Sequence, residues 1–419
     1  MRPSHTTLQP PHRLDLRAAD LARGVATLLT VDERRARAAL EAGWHADGLA
    51  FLSVRSALCA FLEAQRASGA WQPGDEVLVS ALTIQDMPKL IEAHGFVPVA
   101  VEVDAHGMAP RLDDLQRKCN ARTRAVLVAH LFGARVELAE VARFCRQHGL
   151  LLLEDCAQAF VGPGFVGHPE ADLAMFSFGT LKTCTALGGA LARVRDPALR
   201  ARMAEIQTCW PRQRTGAFVA KLARAAAFLV AQHPLVYGLL AHAIALGGES
   251  IGAVLRRATR GFPAGDVVEL LSLLRKRPCA ALLAFLRVRL AHVDAERLVR
   301  RAAVGEELAA RADGHVPGAG ARYRTHWIFP IETTSPARLR EALWRIGIDA
   351  SGASNIAAVG GVAARALVQS LVFVPAYPEL SPAARAALAE AVQAHLRRDV
   401  LTLELPPGTP APLARSAAC

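Results

Sequence analysis

Two apolar runs that each end in a polar or charged residue constrain this chain more than any other feature. Between Leu151 and Gly189 it reads LLLEDCAQAF, then ADLAMFSFGTLK, then TCTALGG. The first run ends in Asp155. The second carries Ser177 and leads to Lys182, followed by Gly188 and Gly189. Charged groups at the ends of buried strands are costly unless they meet a partner. In open α/β sheets the carboxyl ends of parallel strands are where ligands bind. An acid and a lysine there suit pyridoxal phosphate (PLP). The lysine forms a Schiff base with the aldehyde, and the acid keeps the pyridine nitrogen protonated so that the ring acts as an electron sink. Glu154 competes with Asp155 for that role. Neighbours in a strand face opposite sides, so only one of them can meet the ring.

The surrounding pattern predicts the sheet. Strands are expected at 76–81, 97–103, 125–130, 150–154, 172–177 and 189–194, with helices near 33–46, 55–67, 85–94, 111–118 and 137–148. Such alternation implies βαβ units and a mainly parallel sheet with helices on both faces. After Met203 strands disappear, and residues 211–300 read as helices punctuated by Pro234, Gly247-Gly248, Pro263 and Pro278. From Arg322 both kinds return: YRTHWIFPIE as a strand, SPARLREALWRIGI as a helix, LVFVPAYP as a strand or turn, and SPAARAALAEAVQAHLRR as a helix begun by a Ser-Pro cap. The expected division is a large domain at 17–205, a helical insertion at 206–300, a small C-terminal α+β domain at 301–404 and a disordered tail at 405–419. Residues 1–16 read as an irregular arm.

The 419 residues suffice for two domains, and 52% hydrophobic against 21% charged residues excludes a disordered chain. The cysteines include no C-x-x-C pair, so no metal site is expected. The N-terminus lacks a secretory apolar core, which makes a reducing cytoplasm the expected setting. The net charge of +11 is concentrated: residues 211–300 hold 14 Lys or Arg against five Asp or Glu. Aromatics are only 5% of the chain, so nucleic acid is not the expected partner. A membrane surface or phosphate groups fit the basic segment, and so does a solvated face of ordinary helices. Residues 225–248 carry no charge. That is close to a span in length, but Gln232, His233, Pro234, Tyr237 and His242 interrupt it. A buried or membrane-apposed hairpin is expected instead.

Several blocks resemble the DegT/StrS family of fold-type I PLP enzymes, best known as aminotransferases of nucleotide-linked sugars. They are GDEVLVSALT at Gly74–Thr83, FVPVAVEVD at Phe96–Asp104, TRAVLVAHLFG at Thr123–Gly133, HGLLLLEDCAQA at His148–Ala159 and FSFGTLK at Phe176–Lys182, with FVPAYPELS at Phe373–Ser381 a weaker one. The resemblance implies Lys182 as the Schiff-base lysine, Asp155 and not Glu154 on the pyridine nitrogen, and Gln158 on the 3′-oxygen. It also implies Ser177 on the phosphate, beside the start of the helix opened by Ser53, where Arg55 and Ser56 would supply backbone N–H groups, a hydroxyl and a charge. Two departures stand out. Ile84 occupies the place of an aromatic ring that covers the cofactor. The family's Gly-Tyr-Asn-x-Arg segment, which lends an Asn to the phosphate across a dimer interface, is missing; Arg212 or Arg214 are candidates for its anion-binding role. His130 and Trp327 are further candidates near the site, each equally readable as core.

The expected activity is transfer of an amino group from an amino acid, glutamate first, to a keto group on a sugar-like or polyol-like acceptor, nucleotide- or lipid-linked, by a homodimer. PLP-dependent dehydration is one alternative, disfavoured because Lys182 is present. A non-catalytic PLP-fold sensor or scaffold is the other.

Overall fold

The computed structural model describes residues 6–259, 266–353 and 356–404. The tail expected to be disordered lies outside them. Seven strands make the main sheet: β1 (Gly48–Phe51), β2 (Glu76–Ser80), β4 (Val97–Val101), β5 (Thr123–Ala129), β7 (Leu151–Asp155), β8 (Leu173–Ser177) and β9 (Ala190–Val194). Their order is β1-β9-β8-β7-β5-β2-β4. The five from β8 to β4 are parallel, while β9 and β1 add antiparallel at one edge. Sequence periodicity missed β1, whose four residues are too few to set a pattern.

Helices α1 (Ala18–Ala26), α2 (Glu33–Trp44), α3 (Val54–Ala67), α4 (Asp86–Ala93), α5 (Leu112–Lys118), α6 (Ala139–His148) and α7 (Pro197–Thr208) surround the sheet. Their starts follow local chemistry. Asp32 caps α2 through the Arg35 N–H, Ser53 caps α3 through the Ser56 N–H, and Asp196 caps α7 ahead of Pro197. The sheet is buried on both faces. Leu58, Phe61, Val77, Leu127 and Met175 pack on one side, and Leu78, Val126, Phe144 and Leu152 on the other.

Between 215 and 291 the described residues form helices α8 (Thr215–Ala231), α9 (Pro234–Leu246), α10 (Ile251–Thr259), α11 (Val267–Leu274) and α12 (Ala280–Ala291). The uncharged stretch bends by 100° between α8 and α9. Pro234, at the first turn of α9, has no N–H to continue α8. Among the described residues no single helix is long and apolar enough to cross a membrane.

A three-stranded antiparallel sheet follows, with β11 (Phe329–Glu332), β14 (Leu371–Val374) and β12 (Ser351–Gly352) in that order. It packs with α13 (Ala295–Ala309), α14 (Pro336–Arg345) and α16 (Pro382–Glu404) around Phe329, Leu339, Val372 and Leu388. The segment also contains α15 (Val362–Ser370). Two short ladders tie it to the main sheet's loops: β10 (Tyr323–Arg324) to β6 (Ala134–Arg135), and β13 (Ala357–Ala358) to β3 (Leu82–Thr83). The strand expected through YRTHWIFPIE is therefore broken in two, at His326 with φ +47°.

The N-terminal arm is anchored along its length. Leu8 N–H donates to Pro234 O, Gln9 N–H to Gly347 O, and Asp349 N–H to Gln9 O. A Cβ on Gly238 would lie 2.1 Å from Thr6 O, so only glycine lets the arm cross α9 this closely.

Candidate active site

The carboxyl ends of β2, β5, β7 and β8 open into one cavity of about 710 Å³. Strand register explains the convergence. Asp155 ends β7 opposite Ala129 of β5 and Met175 of β8, and Ser177 ends β8 two residues further on. Beyond Ser177 a turn closed by Lys182 N–H to Gly179 O brings Lys182 back over the same edge. The loop that follows is unusual: Cys184 and Leu187 both have positive φ, at 55° and 62°. Non-glycine residues rarely adopt that region outside constrained sites.

Lys182 Nζ lies 4.1 Å from the centre of the Trp327 ring. The indole is held in place by its own N–H, which donates to Leu181 O at 2.8 Å. Burial lowers the Lys182 pKa to about 8, with Asp155 opposing the shift and Arg55 adding to it. Asp155 is buried, and burial raises its pKa despite a hydrogen bond from Ala157 N–H and the cations nearby. Oδ1 accepts that bond at 3.0 Å, and Oδ2 has no hydrogen-bond partner among the described residues. A buried carboxylate with one oxygen unspent calls for a cationic donor.

Glu154 points the other way. It meets His130 Nε2 at 2.9 Å and accepts from His168 N–H. Burial opposes its ionisation, but these donors hold its pKa below the usual value. Val136 N–H donates to His130 Nδ1, which places the ring proton on Nε2, toward Glu154. His130 borders the cavity with both nitrogens engaged, as a satisfied structural group.

The other expected residues divide. Gln158 is on the wall, and its Oε1 accepts from Phe132 N–H at 2.8 Å, which leaves the amide NH₂ to face elsewhere. Ser177, Arg55 and Ile84 also line the cavity. Ser177 Oγ accepts only a long bond, 3.4 Å, from Gly179 N–H. The Arg55 guanidinium is paired with Asp86. Ser56 is a correction. It is fully buried and does not border the cavity; its hydroxyl donates to Leu274 O at 2.8 Å, and its N–H donates to Ser53 Oγ. The hydroxyl thus fastens α3 to α11. Arg212 and Arg214 do not reach the cavity either, since Arg212 lies in a backbone bridge to Arg277 and Arg214 precedes α8.

Several cavity residues were not foreseen. His12 of the arm is one, with its pKa lowered to about 4 by burial. Tyr237 of α9 is another; its hydroxyl donates to Asp349 Oδ2 at 2.6 Å, where burial raises the carboxyl pKa to about 6. Lys221 of α8 is a third. A single lysine inside the apolar stretch FVAKLARAAAF was a legible signal for it.

Part of the chain is similar in sequence to known proteins. Residues 35–223 fit the model of the DegT/DnrJ/EryC1/StrS aminotransferase family. A dTDP-4-dehydro-2,3,6-trideoxy-D-glucose 4-aminotransferase of Saccharopolyspora spinosa is 35% identical over 132 residues, 31% of this chain and 34% of that protein. GDP-perosamine synthase of Vibrio cholerae is 33% identical over 121 residues, 28% of this chain and 33% of that one. The match thus spans about a third of the length of these relatives. In fold the likeness is far longer. Helicobacter pylori PseC, an aminotransferase involved in the biosynthesis of pseudoaminic acid, superposes with a TM-score of 0.67 at 14% identity, covering 93% of this chain and all of that one. The aminotransferase TlmJ of Streptoalloteichus hindustanus gives 0.65 at 18% identity, over 94% and 98%. The family model thus covers residues 35–223, the segment that carries Lys182, Asp155, Gln158 and Ser177, and this part of the chain is similar to the DegT/DnrJ/EryC1/StrS aminotransferase family.

Proposed function

We propose that this chain is a PLP-dependent aminotransferase that passes an amino group from an amino acid, glutamate first, to a keto group on a sugar-like acceptor. The observation that carries the reading is the meeting of Lys182 and Asp155 on one enclosed cavity at the carboxyl edge of the sheet. The residues fit the cofactor. Asp155, on the cavity wall, has an oxygen without a hydrogen-bond partner among the described residues that would meet a ring N–H, and α3 begins at the same wall, where helix N-termini favour phosphate.

When bound, PLP supplies the electron sink for the charge left as a proton leaves the α-carbon of the amine. The rest is the work of this chain. Lys182 Nζ, half-deprotonated near pH 8, is a competent nucleophile and then a base that carries a proton from one carbon to the other. The Asp155 carboxylate would keep a ring N–H protonated. Gln158, its Oε1 fixed by Phe132 N–H, would have its NH₂ left to hold a ring oxygen. Ile84, on the cavity wall, would offer an aliphatic surface where the family has an aromatic ring. Trp327 closes the side toward Lys182.

The test runs the two half-reactions in turn. Purified holoprotein should lose its visible absorbance on adding glutamate and form 2-oxoglutarate, and a keto-sugar should restore the band. A yellow protein that no amino acid bleaches would instead support the sensor reading, and release of water from the sugar without amino transfer would support dehydration.

The relatives named above act on nucleotide-linked sugars by name, and a homodimer in the cytoplasm is the proposed working form. A peripheral membrane contact is proposed for the α8–α9 face, which exposes Val230, Leu239 and Leu246 at 64%, 54% and 75%. The cations first expected to drive it are largely committed elsewhere. Arg257 pairs with Glu249, Arg275 with Glu63, and Arg277 with Glu33. The apolar residues are therefore the ones to change. Flotation with anionic liposomes should recover the wild type, and Leu239→Ser with Leu246→Ser should release it, each buried leucine contributing roughly 1.5–3 kcal/mol. Dissociation of a dimer by the same pair, with no liposome binding by the wild type, would assign this face to subunit contact.

A further inference from the structure

One corner of the cavity has a built anion site whose cation comes from an unexpected helix. Four chain segments meet there. Ser53 caps α3, so the first turn of that helix opens at the wall. Gly189 N–H donates to Leu52 O at 3.0 Å, which sets the Gly188-Gly189 pair against the residues leading into α3. Ser177 is the register partner of Ala190, the residue after that pair. The fourth segment is α8. Its Phe218, Leu222 and Ala225 are buried, with Phe218 against Phe285 of α12. Lys221 is three residues after Phe218 and four before Ala225, so it shares their inward face.

Lys221 Nζ reaches Gly188. A Cβ built there would stand 2.9 Å from the nitrogen. Gly188 has φ +156°, and its missing side chain leaves the space that the ammonium occupies. Among the described residues Lys221 has no hydrogen-bond or ion-pair partner, although it lines the cavity. Burial lowers its pKa, and neighbouring Arg224 adds to that. A partly buried ammonium without a partner among the described residues invites an anion. Of the other cations that border the cavity here, Arg55 is paired with Asp86, and Arg224 adds positive charge beside Lys221.

We infer that Lys221 binds the phosphate of PLP, together with the first turn of α3 and Ser177, from within the same chain. The inference rests on the PLP reading above and adds to it a residue from the helical segment. It explains why a lysine sits on the buried face of an otherwise apolar helix. It also makes α8 part of the cofactor site, not merely a cover over it.

Binding measurements separate the possibilities. The full-length chain, freed of cofactor, is titrated with PLP and with pyridoxal, which lacks the phosphate. Lys221→Met should weaken PLP binding by about tenfold to a hundredfold, as expected for a lost charge-assisted hydrogen bond. Pyridoxal affinity should not change, and Lys221→Arg should restore most of the PLP affinity. Equal losses for both ligands would mean that the substitution damages the fold, and would overturn the inference. So would unchanged PLP affinity with a raised KM for a phosphate-bearing acceptor, which would move the anion from cofactor to substrate. A wild type that binds neither ligand would defeat the proposed function itself, whereas a PLP-binding wild type matched by Lys221→Met would defeat only this assignment.

Discussion

Lys182→Ala is expected to reduce amino transfer to the background rate and to abolish the visible band of the lysine-bound cofactor. Two lysines face the cavity, Lys182 and Lys221, so the result discriminates between them. Lys182 follows the turn at the carboxyl edge of the sheet and lies against Trp327. Lys221 sits at the phosphate corner, beside Gly188. Borohydride reduction and peptide mapping should place the cofactor on Lys182 in the wild type. A label on Lys221 or Lys89 would refute the assignment. The reaction should also depend on pH in a defined direction. Only the neutral amine attacks the aldehyde. With its pKa lowered to about 8, about a tenth of Lys182 is neutral at pH 7, against roughly a three-thousandth for an unperturbed lysine. The rate of cofactor attachment should therefore rise with pH and level off above about 8. A rise continuing toward pH 10 would mean that the lysine is not desolvated.

Asp155→Asn should have the next largest effect, and it should separate catalysis from stability. The variant should still take up PLP, since the lysine and the phosphate corner are intact. The half-reaction should slow by about two to four orders of magnitude, because removing one partner of a buried ion pair costs about 3–5 kcal/mol and each 1.36 kcal/mol is about tenfold in rate. Without cofactor the sign reverses. Burial raises the Asp155 pKa above its ordinary 3.8. Its charge therefore destabilises the folded cofactor-free chain as pH rises past that value, and this penalty is absent in acid. Cofactor-free Asp155→Asn should accordingly be at least as heat-stable as wild type at pH 7, with the advantage vanishing near pH 3. Near-normal turnover would remove Asp155 from the mechanism. Glu154 could not easily replace it, because its side chain is committed to His130 and His168 N–H on the far face of the strand.

Much of this arrangement is legible in the amino-acid order because its causes are local. An apolar run of strand length must be buried. A cap residue before a helical pattern starts a helix whatever surrounds it, as Ser53, Asp196 and the Ser335-Pro336 pair do. Alternation of strand and helix leaves few topologies, and in those the carboxyl ends share an edge. An acid and Lys182 could thus be assigned to one edge before any contact was known; strand geometry allowed only one of Asp155 and Glu154 to meet the ring, and the family resemblance selected Asp155 and added Ser177.

What the sequence could not determine depends on contacts between distant segments. Whether Ser56 meets a phosphate or a carbonyl is decided by α11, which brings Leu274 O to its hydroxyl. Which of the 14 cations in residues 211–300 reaches the cavity is decided by how α8 packs on α1 and α12. The candidates nearest the missing family segment, Arg212 and Arg214, stay outside, while Lys221 and Arg224 of α8 border it. Arg257, Arg275 and Arg277 looked like a basic surface, but partners on other segments or across a turn neutralise them. The N-terminal arm shows the same limit: no local pattern foretells that Gly238 leaves room for Thr6 or that His12 will line the cavity. Strand and helix are set by interactions over a few residues, which composition and periodicity record. The partner of a polar group is set by chain segments a hundred or more residues away, and only the packed structure brings them together.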